Sequence, residues 1–277
     1  MLNEKIRKDL SGGLIPGTSV RNAKKSIWGV FVTLIDLKST QFKYQFNKND
    51  FNMAESLLKL ENVWKIYKMG QVEALALRGV SMEIQKGDFV AITGASGSGK
   101  STMMNLIGCL DAPTKGKIFL KGRDLTTLAE SDLASLRGRT IGFIFQQYNL
   151  IPSMSSFDNV MLPLEFLEYD ETLATVRVRK LLASVGLGTK LRNRPTQLSG
   201  GEQQRVSISR ALAANPEIIL ADEPTGNLDS ESGKAIMKLF NNLWKQEGKT
   251  IIMVTHDLNL AKYARTAIEL KDGQIVR

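Results

Sequence analysis

The sequence predicts an α/β protein: a parallel sheet at the centre, an antiparallel β-lobe beside it and a helical subdomain. Three observations carry that prediction. The apolar runs Ile218–Ala221 and Thr250–Val254 flank a helical stretch from about Ser232 to Gln246, and apolar strands alternating with helices mark parallel strands covered on both faces. A glycine-rich turn, Gly94-Ala95-Ser96-Gly97-Ser98-Gly99-Lys100-Ser101, lies between the strand-like Phe89–Thr93 and a helix starting near Lys100. Short strands with turn residues between them cluster around it, at Leu57–Tyr67, Val80–Ile84 and Lys117–Leu120, as an antiparallel lobe requires.

In chain order, residues 1–52 come first and differ from the rest of the chain. They hold nine Lys and Arg against four acids, a net of +5 out of the +9 of the 277-residue chain. No helical or strand period organises them. They read as a basic, poorly ordered extension. Two other readings stand beside that one: translation beginning at Met53, and an aromatic-bearing basic arm (Trp28, Phe31, Phe42, Tyr44, Phe46) that touches lipid or a partner. Residues 53–277 form the patterned domain. Within it, about 156–198 is expected to be a helical subdomain, because Phe157–Arg194 lacks strand signals and pairs Val178 with Leu182 and Leu181 with Val185 at i,i+4. The chain closes on Ile268–Leu270, Lys271-Asp272-Gly273 and Gln274–Val276, and Asp-Gly is a strong hairpin signal.

Composition narrows the function. One Cys excludes an internal disulfide framework, and one His with one Cys leaves no zinc site of the usual kind. The longest apolar run, near Ile27–Ile35, is about half of the ~20 residues a membrane-spanning helix needs.

The turn at Gly94–Ser101 fits G-x-x-x-x-G-K-[ST]. Its glycines let successive N–H groups curl toward phosphate oxygens, the helix N-terminus adds partial positive charge, and Lys100 adds a full one. Ser101 offers a hydroxyl to Mg²⁺, with Thr102 beside it in the phosphate-binding set. A nucleoside triphosphate is the expected ligand. Downstream, Ile218–Ala221 ends in Asp222-Glu223. Asp222 is placed to hold Mg²⁺, directly or through water, and Glu223 to polarise the water attacking the γ-phosphate.

Leu198-Ser199-Gly200-Gly201-Glu202-Gln203-Gln204-Arg205 then matches the LSGGQ-type signature, with Glu202 in its fifth place. Together with the phosphate loop and Asp222-Glu223 in this order, it makes the region from about Leu57 to Arg277 resemble an ATP-binding cassette (ABC) transporter nucleotide-binding domain, a P-loop NTPase. Ser199, Gly200 and Gly201 open a helix running to about Ala214, a second anion site at a helix N-terminus. The resemblance implies that this site faces the ATP of a second copy, in a head-to-tail dimer. It also implies roles for single residues. Gln146 would meet Mg²⁺ or water and sense the membrane partner. Asp229 would work across the dimer interface, His256 would bond the γ-phosphate, and Tyr67 would stack on adenine, with Trp64 the nearby competitor.

Ile107-Gly108-Cys109-Leu110-Asp111, Gln146–Pro152 and Ala221–Asp229 further resemble the lipoprotein-releasing, macrolide-export and cell-division group. That resemblance implies an ATPase with ATP and Mg²⁺ as cofactors, peripheral on the cytoplasmic face of the cell membrane and driving integral permease subunits on separate chains in export or mechanical work. The alternative is an ABC ATPase acting on nucleic acid or ribosomes. One phosphate loop, and a spacing of only 52 positions from Gln146 to Leu198, argue against it.

Overall fold

The computed structural model describes residues 56–276 apart from Gln71; the basic extension, and every reading of it, lies outside the described residues. A four-stranded antiparallel sheet is formed by β1 (Ser56–Met69), β2 (Val72–Gln85), β4 (Lys115–Leu120) and β5 (Arg123–Asp124), in the order β2-β1-β4-β5. The second strand is longer than Val80–Ile84 predicts, because its first half pairs with β1 as far as Val72 opposite Met69. A six-stranded sheet holds β3 (Phe89–Thr93), β6 (Ile141–Ile144), β7 (Ile218–Asp222), β8 (Thr250–Val254), β9 (Thr266–Lys271) and β10 (Gln274–Ile275), in the order β10-β9-β3-β8-β7-β6. All its neighbouring pairs are parallel except the closing β9-β10 hairpin. Asp272 and Gly273 at that turn have φ of 48° and 78°, the two left-handed residues a tight hairpin needs.

The helices are α1 (Lys100–Ile107), α2 (Glu130–Thr140), α3 (Ser156–Phe166), α4 (Glu171–Ser184), α5 (Gly200–Leu212), α6 (Ser230–Glu247) and α7 (Leu258–Ala261). The apolar runs of the central strands are explained by their two faces. Val90, Ile92, Ile218, Leu220, Ile252 and Val254 enter the core shared with α1 and the antiparallel lobe. Their neighbours Phe89, Ala91, Ile219, Ala221, Ile251 and Met253 enter a second core, under α5 and α6. The period of two thus serves two cores from one strand. The predicted helical stretch is two helices, α3 and α4, joined through Glu168 at φ 54°. Val160, Leu164, Val178, Leu182 and Val206 close a third core there with α5. The effect of this layout on function is that β3, β7 and β8 end side by side, so the segments leaving them converge at the carboxyl edge of one parallel sheet.

Candidate functional site

The loop leaving β3 enters α1 without a conventional cap. Gly99 stands at the N-cap with φ 103°, no side chain bonds the first turn, and no acid lies in it. The first N–H groups of any helix lack intrahelical partners, so this end is left free for an anion. Gly94 and Gly99 are glycine for space as well as conformation: a Cβ on Gly94 would stand 2.1 Å from the Leu270 carbonyl oxygen, and one on Gly99 2.5 Å from that of Ala76. Lys100 donates to the carbonyl oxygens of Gly94 and Ala95, each at 2.8 Å. Its ammonium is therefore held inside the loop. Ser98 Oγ is buried with no partner.

A cavity of about 630 Å³ opens over this loop. Ser96, Gly97, Gly99, Lys100, Ser101 and Thr102 line one side, and Gln146, Asp222, Glu223 and His256 the other. Gly94, Ala95 and Ser98 complete the loop outside that lining. Burial and the charge of Glu223 push the Asp222 carboxyl above its ordinary range, against the pull of Lys100. A cation here would relieve both. Among the described residues no group of three or more His, Cys, Asp or Glu could hold a metal. The Ser101 hydroxyl, the Asp222 carboxylate and the Gln146 amide oxygen, which line the same cavity, are hard oxygens that could hold Mg²⁺ together with phosphate.

Glu223 comes after β7 with a left-handed backbone, φ 44°. Its N–H donates to the Val254 carbonyl at 2.9 Å, and its carboxylate is held by the segment after β8. The His256 N–H donates to Oε1 at 2.8 Å, His256 Nδ1 lies 2.6 Å from the same oxygen, and the Thr255 hydroxyl donates to Oε2 at 3.2 Å. Thr255 is fully buried, and its hydroxyl accepts the Asp257 N–H at 3.1 Å. That commits a lone pair to Asp257 and leaves the hydrogen for Glu223. Sequence reasoning missed Thr255; its only sequence signal was its place between an apolar strand and the single His.

The signature residues Ser199, Gly200 and Gly201 do not line this cavity. Ser199 caps α5, accepting the Glu202 N–H at 3.3 Å, while Glu202 accepts the Ser199 N–H at 3.0 Å and pairs with Lys190 at 2.5 Å. Asp229 caps α6 through the N–H groups of Glu231 and Ser232. The Tyr67 hydroxyl donates to Asp111 at 3.0 Å, and Lys65 lies 4.9 Å over the Tyr67 ring while pairing with Asp111 at 2.6 Å. Trp64 stands apart, its indole donating to Asn62 at 3.0 Å. Of the predicted residues, the structure thus brings together the phosphate loop, Gln146, Asp222, Glu223 and His256; Tyr67, Asp229 and the signature lie outside the cavity.

Known proteins resemble this chain in sequence and in fold. The family model described as ABC transporter matches residues 77–226. An ABC transporter ATP-binding protein of Methanocaldococcus jannaschii is 50% identical over 220 residues, covering 79% of this chain and 98% of its own. The macrolide export ATP-binding/permease protein MacB of Syntrophobacter fumaroxidans is 47% identical over 221 residues, but those span only 31% of its length. Among solved structures, the dimeric post-hydrolysis state of the ATP-binding cassette MJ0796 bound to ADP and Pi matches at a TM-score of 0.74 and 47% identity, covering 79% of this chain and 97% of that one.

Proposed function

The chain belongs to the ABC transporter family and is an ATP-binding ATPase of that family, and on that premise we propose that it drives a membrane permease carried on separate chains, working as a head-to-tail dimer with Mg²⁺-ATP. One observation carries the proposal. A single cavity holds an uncapped glycine-rich helix start, Lys100, and a carboxylate already tied to a histidine, while the second glycine-rich helix start, at Ser199–Gly201, lies outside it.

The roles follow from placement. The loop Gly94–Thr102 cradles the phosphates, and Lys100 exchanges its two internal carbonyl bonds for phosphate oxygens. Ser101, Gln146 and Asp222 would hold Mg²⁺, which would neutralise phosphate charge when bound. Glu223 orients the attacking water and accepts its proton. His256 bonds the γ-phosphate while keeping Glu223 in place. Tyr67, steadied by Asp111, stacks on adenine. Ser199, Gly200 and Gly201 close on the nucleotide of the second copy, with Asp229 at that interface. Residues 53–277 serve as the ATP-binding domain, the helical part about 156–198 leading into the signature.

A groove on this chain has chemistry suited to seating the permease. About 780 Å³ opens between α2, β6, α3 and α5, lined by Leu110, Phe143, Phe145, Leu162, Phe166 and Leu167 with Arg137, Arg139 and Arg210 at its polar side. Phe166 is 80% exposed. Phe145 and Asn149 place this groove on the same loop as Gln146. Among the described residues no helix is long and apolar enough to cross a membrane. In this reading the partner seated in the groove supplies the membrane attachment and holds the subunit on the inner membrane face. The likeness to MacB supports export or mechanical work as the output.

The test is Glu223→Gln. It keeps the side chain's size and removes the base, so ATP binds, hydrolysis falls on the order of a thousandfold, and a dimer accumulates on gel filtration with ATP and Mg²⁺. A monomer under those conditions overturns the dimer.

A further inference from the structure

Gln146 reaches the cavity from an exposed loop, and something must hold it there. The structure supplies a pair of hydrogen bonds, from the segment after Glu223. The Asn227 side chain donates through Nδ2 to the Gln146 carbonyl oxygen at 3.0 Å and accepts the Gln146 side-chain amide through Oδ1 at 3.4 Å. The Tyr148 hydroxyl donates to the Asn227 carbonyl at 3.4 Å. An independent feature marks the same place. A Cβ on Gly226 would stand 2.8 Å from Gln146 Nε2 and 3.3–3.4 Å from the two carbons before it; the space a side chain would fill at 226 is taken by Gln146.

We propose that Asn227 is a positioning residue for Gln146, and that the two form a latch between the groove-side loop and the segment carrying both Glu223 and Asp229. That segment is short and stiff. The Gly226 N–H bonds the Glu223 carbonyl at 3.0 Å, and the Leu228 N–H bonds that of Thr225 at 3.1 Å. A displacement at Asn227 therefore moves the backbone on both sides. From the other end, Arg210 of α5 donates to the carbonyl oxygens of Tyr148 and Asn149 at 2.9 Å and 2.6 Å. Both of those residues are left-handed, φ 60° and 48°, a conformation that persists only where the surroundings hold it. The loop is thus pinned on the groove side by Arg210 and on the cavity side by Asn227, with Gln146 at the cavity end.

The inference rests on the role assigned to Gln146 above, and the experiment separates the two. ATP turnover is measured for Asn227→Ala, Gly226→Ala, Gln146→Ala and the double variant Asn227→Ala/Gln146→Ala, with ATP binding and circular dichroism as folding controls. Misplacing a group by about 1 Å can cost up to 10²-fold. Asn227→Ala is expected to lower kcat roughly tenfold with KM for ATP within about twofold. Gly226→Ala, which displaces the same side chain by contact, shifts kcat in the same direction. The double variant is no slower than Gln146→Ala, because a positioning residue has no effect once the group it positions is gone. Asn227→Ala at the wild-type rate, or a double variant slowed by the product of the single losses, overturns the latch while leaving the Gln146 assignment standing. Gln146→Ala at the wild-type rate overturns both.

Discussion

Two helices of this protein begin at glycine-rich sequences, and they are finished differently. α1 begins at Gly99 with no side-chain cap and no acid in its first turn. α5 begins at Ser199 with a reciprocal capping box, Glu202 in its first turn and Lys190 paired to that acid. The first is open to an anion, with a lysine already stationed beside it. The second has satisfied two of its N–H groups and brought its own negative charge. The uncapped start is the one that lines the cavity, and the capped one lies outside it.

The largest test of this contrast is Lys100→Met. Its ammonium makes two charge-assisted bonds in the loop, and losing their phosphate counterparts is expected to weaken ATP binding by on the order of a hundredfold, read by nucleotide titration. Equal affinity would mean the loop amides suffice. Gly200→Asp adds a negative charge at the second helix start. Turnover is expected to fall about tenfold while ATP binding to the monomer stays unchanged. A parallel loss of monomer binding would show that the signature belongs to the same chain's cavity and would end the contrast. Ser199→Ala removes the cap of α5 and costs about 1 kcal/mol of stability, measured by thermal melting.

Glu202→Gln is the finest test. The Lys190 bond and the Ser199 N–H hold the Glu202 carboxyl below its ordinary range. A carboxyl lowered in the folded state contributes stability that is present above the ordinary carboxylate value and is lost as pH falls through the folded one. Gln keeps the capping geometry without that dependence, so the variant should lose less melting temperature than the native chain on acidification. Parallel curves would remove the ion pair from the stability of α5.

Much of this was legible in the sequence, for physical reasons specific to each segment. β3 and β8 are buried on both faces, so they read as continuous apolar runs, and Phe89–Thr93 and Thr250–Val254 coincide with the strands found. The hairpin turn at Asp272-Gly273 announced itself because few dipeptides accept two left-handed residues in succession. α2 did not, since none of its residues is buried and it has no apolar stripe to give a period. β6 was hidden by its length, four residues including Gly142, where a Cβ would meet the Ala211 carbonyl at 2.5 Å. The phosphate loop was readable because its glycines answer to backbone geometry, which is local. Thr255 and Asn227 were not, because their hydrogen-bond partners lie 32 and 81 positions away and nothing in their own neighbourhood records it.

The left-handed backbone of Glu223 has a consequence for anyone selecting this protein for robustness. At φ 44° a side chain is carried at a conformational cost that glycine does not incur. It is held by three contacts from Thr255 and His256 and by its N–H bond to Val254. Selection for survival at high temperature, with no demand for turnover, should therefore enrich Glu223→Gly. A library screened for stability alone would accept, at this position, a change that the proposed chemistry does not tolerate.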